Sequence, residues 1–232
     1  MPEQSLLARL PRWLSHWLGY RPDPPKPLPQ YLVWFWSFIS AFCGLSVLQA
    51  LFNYSQYFID RGVPGIIASY VSIFSLPSVM IATNTKKRQG ASAVLVFGAI
   101  ESPLAQPRAL IFGHFLSALV GVCITKLFSL IPDEERFNSV RWLAASLSSA
   151  IAIVVMQITQ TTHPPAGATA LLPATSDAVW NLSWYFLPVT LLSSTMILAV
   201  ALLVNNIQRR YPTFWIAPPK PKAALPQTNP PK

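Results

Sequence analysis

His163 stands in the stretch QTTHPPAGATALLPAT, residues 160–175, directly after an apolar run from Trp142 to Thr159. Histidine is the side chain whose ordinary pKa lets it exchange a proton near neutral pH. Ionisable groups within membrane segments mark substrate, ion or proton paths by default. Pro164 and Pro165 remove backbone donors and clash with the preceding turn, so they end the helix before them. Pro164 also pushes His163 toward an extended conformation. Proline is accepted in the first turn of a helix, and a new helix is expected over about 166–172. This leaves His163 and Thr162 at a gap, with the first backbone N–H groups of Gly167, Ala168 and Thr169 available to a bound anion.

A second stretch repeats the pattern. GASAVL at 90–95 parallels GATALL at 167–172, so Gly90, Ala91 and Ser92 are the candidate partners of Gly167, Ala168 and Thr169. Paired broken helices, one in each half of the chain, are how secondary transporters build a site near the bilayer midplane. Helix packing enriches the same small residues, which is the competing explanation. Glu101, Gln106, Arg108 and His114 are candidates for shaping an entrance. Glu101 and Arg108 flank a Pro-rich turn and can pair across it, and a guanidinium suits an anion. For this turn the alternative is an ordinary interfacial loop, and for His114 a bond to a neighbouring helix.

Other chemistries find little support. Cys43 and Cys123 fall inside apolar runs and read as small buried hydrophobes. There is no HExxH pattern, and neither cysteine has a base beside it. No catalytic residue, metal ligand or cofactor is assigned, and no enzymatic activity is expected.

The elements that must position these residues follow from composition. Of 232 residues, 52% are hydrophobic and 11% charged, against about 25% charged in soluble domains. The apolar residues bunch at Tyr31 to Leu51, Pro64 to Ile100, Ala109 to Leu130, Trp142 to Thr159 and Trp184 to Asn205. Most of these runs approach the roughly 20 residues that cross a bilayer as a helix, and continuous runs in lipid must be helical. The expected fold is an all-α membrane protein, a small polytopic bundle of four to six membrane segments that includes broken or re-entrant half-helices.

The formal charge is +9. Arg9, Arg12, Arg21 and Lys26 precede the first run, and Arg209, Arg210, Lys220 and Lys222 follow the last. This bias places both termini on the cytoplasmic-type side and requires an even number of crossings. The partners expected are the lipid bilayer and a small inorganic anion, and so few spans suit a homo-oligomer. Nucleic acid is not expected, because the charges flank spans and form no continuous stripe.

Residues 1–30 form an N-terminal segment in which Leu6, Leu7, Leu10, Trp13, Leu14 and Trp17 share one helical face, as in an interfacial helix. A mitochondrial presequence is the rival reading. Residues 31–207 are the transmembrane domain, and 208–232 are a basic, Pro-rich tail.

One segment departs from the rest. Residues 71–89, VSIFSLPSVMIATNTKKRQ, end in a cationic cluster within an apolar region. Val-Ser can be encoded GTAAGT or GTGAGT, Thr-Asn can contain CTAAC, and Gln can be CAG. These are a splice donor, a branch-point sequence and an acceptor, in order and in frame. Excision joins PGIIASY to GASAVLVFGA as one apolar run. The segment is therefore read as a translated retained intron from a eukaryotic gene, the plainer alternative being a loop capped by positive charge.

The stretches GASAVLVFGAIESPLAQPRALIFGHFLSALVGV, THPPAGATALL and NNIQRRYPTFW resemble the HPP family of integral membrane proteins, named for the motif found here at His163, Pro164 and Pro165. The resemblance covers roughly Leu32 to Trp215 and breaks at 71–89. It implies about four spanning helices and a transport function, with nitrite the substrate linked to plastid relatives from plants. The reading that results is a transporter or channel for a small anion such as nitrite. A membrane scaffold or assembly protein is the alternative, and an intramembrane enzyme a more distant one. For the intron, sequencing of transcripts across codons 71–89 is expected to recover a spliced, in-frame form lacking them. Uniform retention would overturn that reading.

Overall fold

The computed structural model describes residues 7–22, 28–63 and 94–217. Among them there are eight α-helices and no strand. In chain order the helices are α1 (Arg12–Trp17), α2 (Gln30–Tyr54), α3 (Gln56–Ile59), α4 (Pro107–Phe128), α5 (Glu134–Ile158), α6 (Pro164–Thr175), α7 (Asp177–Leu182) and α8 (Phe186–Asn205). A π-helical turn at Val94–Gly98 and 3-10 turns at Pro103–Ala105 and Ser183–Tyr185 complete the described elements. Among the described residues four helical stretches are long and apolar enough to cross a membrane: Gln30–Tyr54, Pro107–Phe128, Glu134–Ile158 and Asp177–Asn205.

Local chemistry sets the helix ends. α4 opens on Pro107, whose missing N–H costs nothing in a first turn. α5 opens on Asp133, whose carboxylate accepts from Glu135 N–H at 3.0 Å, with Glu134 and Glu135 adding negative charge where the helix dipole favours it. In α8 the hydroxyls of Thr190, Ser193 and Ser194 donate to carbonyls one turn back, so they stay satisfied away from water.

α4, α5 and α6 pack on one another, and α8 lies against both α4 and α2. Close approach along α4 depends on two glycines. A Cβ at Gly113 would stand 2.8 Å from His163 Cβ, and one at Gly121 would stand 2.6 Å from the Ala170 carbonyl oxygen. Because later residues of α4 meet later residues of α6, the two run parallel, with α5 as the crossover between them. α6 has 12 residues, so it is about 18 Å long and short of the hydrocarbon thickness. Trp34, Phe35, Phe38 and Phe42 leave one side of α2 apolar and exposed, as a lipid-facing surface is.

Several sequence expectations are sharpened or corrected. The break at His163 is present, and His163 is extended with φ −135° and ψ 100°. The restarted helix spans Pro164–Thr175 rather than about 166–172, because both prolines are accommodated inside its first turn. Of the amphipathic N-terminal pattern, α1 is only Arg12–Trp17, and Leu6 lies outside the described residues. The segment is also docked on protein. His16 Nε2 lies 3.0 Å from the Asn206 carbonyl oxygen, Asn206 Nδ2 donates to the Trp17 carbonyl, and Trp215 Nε1 donates to Leu18. The described stretches before α2 and after α8 therefore share one end of the bundle. Residues 71–89 and the candidates Gly90, Ala91 and Ser92 lie outside the described residues.

The two kinds of helical glycine separate experimentally. Gly121→Ala is expected to lower stability by about 1–3 kcal/mol through overpacking against α6. Gly167→Ala, whose Cβ would meet only Ser149 Oγ at 3.8 Å, is expected to be neutral or to stabilise by up to about 1 kcal/mol. Unfolding of the purified protein in detergent measures both, and equal effects would contradict the packing described.

Candidate functional site

Two buried histidines meet at the start of α6. His114 on α4 and His163 at the break before α6 are both fully buried. Their rings stand edge to face with centroids 4.9 Å apart. His163 Nδ1 lies 2.7 Å from the Leu104 carbonyl oxygen. A carbonyl only accepts, so Nδ1 carries the proton and, in the neutral ring, Nε2 is the acceptor. His114 Nδ1 lies 2.8 Å from Thr169 Oγ1. Ser117, one turn along α4, is buried with its hydroxyl 3.7 Å from Met156 Sδ of α5, and Thr161 Oγ1 lies 2.7 Å from Thr159 Oγ1. Thr169 is thus bonded to one of the two imidazoles, while the buried Ser117 and Thr161 find their partners on α5 and its end.

The turn before α4 acts as a bracket beneath this pair. Leu104 offers its carbonyl to His163, and the next carbonyl, that of Ala105, accepts from the buried Tyr211 hydroxyl at 2.7 Å. Burial pushes the Tyr211 hydroxyl pKa up, which keeps it a donor. Gln106 is fully buried. Its Nε2 donates to the Ile100 and Ser102 carbonyls, and its Oε1 accepts from Thr213 N–H.

A second polar cluster lies where α2, the π-helical turn and the end of α8 meet. Arg209 is 7% exposed. Its guanidinium donates to the Phe97 carbonyl at 3.0 Å, Ser37 Oγ at 3.2 Å, Ser40 Oγ at 3.3 Å and Asn205 Oδ1. Asn205 Nδ2 donates to Val96 O at 3.0 Å, so Asn205 and Arg209 together clamp the π-helical turn. Burial lowers the Arg209 pKa to about 10, leaving it cationic at neutral pH.

The structure distributes the sequence candidates unevenly. His163, His114, Thr169 and Gly167 are buried around α6, with Thr162 and Ala168 half-buried beside them. The backbone reasoning for an anion at this helix start needs correction. Pro164 and Pro165 have no N–H, Ala166 N–H donates to the His163 carbonyl at 2.9 Å, and Gly167, Ala168 and Thr169 fall within the helical ladder. What they contribute is small size and the Thr169 hydroxyl.

Glu101 is exposed, and Arg108 does not pair with it. Arg108 donates instead to the Thr159 carbonyl at 2.7 Å and the Ile216 carbonyl at 3.2 Å, closing the end of α5. Gln106 is a buried cross-link rather than an exposed entrance group. Sequence reasoning missed Arg209, which it had counted only as a flanking charge. It likewise missed Arg141, which donates to the Ala174 carbonyl and pairs with Asp177 at 2.8 Å. Among the described residues no group of three or more metal-ligating side chains forms.

The bracket generates its own prediction. Gln106→Met keeps the volume while orphaning the Thr213 N–H and two carbonyls, and is expected to cost about 1–3 kcal/mol. The midpoint of chemical denaturation reads this directly, and an unchanged midpoint would show that the bracket carries no load.

The HPP transmembrane region family matches residues 88–212. One transmembrane protein of Dictyostelium discoideum is 37% identical over 208 residues, covering 88% of this chain and 63% of the relative. Another from the same organism is 36% identical over 208 residues, covering 88% of this chain and 57% of the relative. The chain thus spans about three fifths of the length of these curated relatives. No solved structure matches it.

Proposed function

The chain belongs to the HPP family of transmembrane proteins, and from that premise we propose that it is a membrane transporter or channel for a small inorganic anion, with nitrite the first substrate to test. The observation that carries this reading is the distribution of charge. Among the described residues the buried ionisable groups are His114, His163, Arg209 and the Tyr211 phenol, while Asp60, Glu101, Asp133, Glu134, Glu135 and Asp177 are all exposed. An interior that holds bases and no carboxylate favours negative charge and disfavours cations.

The helix start at Pro164 supplies no backbone donors in its first two positions, so the anion reading rests on side chains. His114 and His163, with Thr169 and Ser117 around them, form a polar waypoint in the apolar bundle. A buried imidazole takes up a proton readily only when a negative charge lies beside it, so an anion and a proton would reach the pair together. Thr162, half-buried before His163, would line the approach.

Proteoliposomes test this. The full chain and a form lacking residues 71–89 are expected to give nitrite, nitrate, formate or chloride flux above empty vesicles, with faster nitrite entry when the outside is acidic. His163→Ala and His114→Ala are expected to reduce flux to the empty-vesicle level. Absence of flux for all four anions with the unmodified protein would end the transport reading. Normal flux in His163→Ala would remove the histidine pair from it.

A further inference from the structure

Arg209 poses a problem that the histidine pair does not solve. A guanidinium taken out of water loses several kcal/mol of hydration and normally recovers it against a carboxylate. Arg209 has none: among the described residues every carboxylate is exposed, and the one ion pair is Arg141–Asp177. Its acceptors are two hydroxyls, one amide oxygen and one carbonyl oxygen, all neutral. Its Nε is buried and has no hydrogen-bond partner. Nε and the neighbouring terminal nitrogen, Nη2, form the edge of the guanidinium that grips a planar or spherical anion. One of the contacts on Nη2, to Ser40 Oγ, is a long 3.3 Å, the easiest to exchange.

The neighbourhood is arranged to hold that edge in place. Ser37 Oγ donates to the Phe97 carbonyl at 2.9 Å, and Asn205 and Arg209, one helical turn apart, both bond the π-helical turn. Phe97 is seated on α2 because Gly44 leaves room for it: a Cβ there would stand 2.7 Å from the ring. Irregular helical turns of this kind recur at functional sites. Arg21 and Arg210 lie at the same end of the bundle, Arg21 bonding the Asn206 and Arg209 carbonyls and Arg210 the Gly19 carbonyl. They add positive potential outside the cluster.

We propose that Arg209, with Ser37, Ser40 and Asn205, forms a second anion-binding site, for a small monovalent anion held at the Nε edge of the guanidinium. This site is separate from the histidine pair and lies at the end of the bundle where the N-terminal segment docks. The choice of ligand class rests on the anion reading of the protein, whereas the existence of a binding site rests on the buried, unneutralised guanidinium.

Binding is measured apart from transport. With ionic strength held constant by gluconate, bromide and nitrite are expected to raise the thermal midpoint of the purified full chain, as any ligand of the native state does. A shift should remain in His163→Ala, in which the histidine site is lost, and the Arg209 variants are read in that background. Arg209→Lys, which retains the charge but loses the Nε–H edge, should weaken the affinity about tenfold or more, and Arg209→Gln should abolish the shift. Should both Arg209 variants fail to fold, bromide anomalous scattering from crystals of the unmodified protein decides instead, with a peak expected within hydrogen-bonding distance of Arg209 Nε. An undiminished shift in Arg209→Lys and Arg209→Gln, or no bromide at Nε, overturns the proposal. Binding at Arg209 without flux in proteoliposomes would leave this site standing and remove the transport function.

Discussion

Residues 100–106 run largely without regular helix from the exposed Glu101 and Pro103 to the buried Ala105 and Gln106, and where their carbonyls are withdrawn from water they need donors from the protein itself. Much of the described structure can be traced to how that need is met. Leu104 is answered by His163 from the start of α6, and Ala105 by Tyr211 from beyond α8. Ile100 and Ser102 are answered by Gln106 from within the turn. Gln106 in turn fixes Thr213. One short turn therefore joins the α4, α5 and α6 assembly to the segment after α8. It also sets the tautomer of His163, because a carbonyl can only accept.

The same constraint accounts for the arginines. Helix C-termini leave carbonyls unpaired and carry partial negative charge. Arg108 closes the end of α5 at Thr159, Arg141 closes α6 at Ala174, and Arg21 closes α8 at Asn206. These side chains use their charge on backbone oxygens at the margins of the bundle. Arg209 differs because it is taken inside, where its acceptors are neutral and its charge remains uncompensated. Among the described residues the one fixed charge taken inside is therefore the Arg209 guanidinium, with the described carboxylates kept outside. That positive sign, more than any helix terminus, is what the proposed anion function rests on.

The α6 break shows how far a sequence pattern reaches. Two prolines after a long apolar run dictate that the helix stops and restarts, and the restriction they place on His163 is met in its extended backbone. The pattern did not reveal that both prolines would sit inside the new helix, and that single shift moves Gly167, Ala168 and Thr169 from the open first turn into the ladder. His114 was legible as a polar residue beside a glycine. That Gly113 brings α6 close enough for the two histidine rings to meet was not, because the contact lies between segments about 50 residues apart in sequence and depends on packing.

Composition and the spacing of apolar runs determined the class of this protein: helical, membrane-spanning, basic at its flanks, and interrupted at His163. Those properties are local, since lipid forces backbone pairing within each segment and proline acts on its own turn. Tertiary structure alone decided which charges go inside. Arg108 and Arg209 look alike as flanking arginines, yet one reaches carbonyls at a helix end and the other is enclosed between α2, the π-helical turn and α8. Burial of a charge is a property of the surrounding helices rather than of the residue or its neighbours in sequence, and in this bundle it is Gly44, Ser37, Ser40 and Asn205 that make the room and supply the partners.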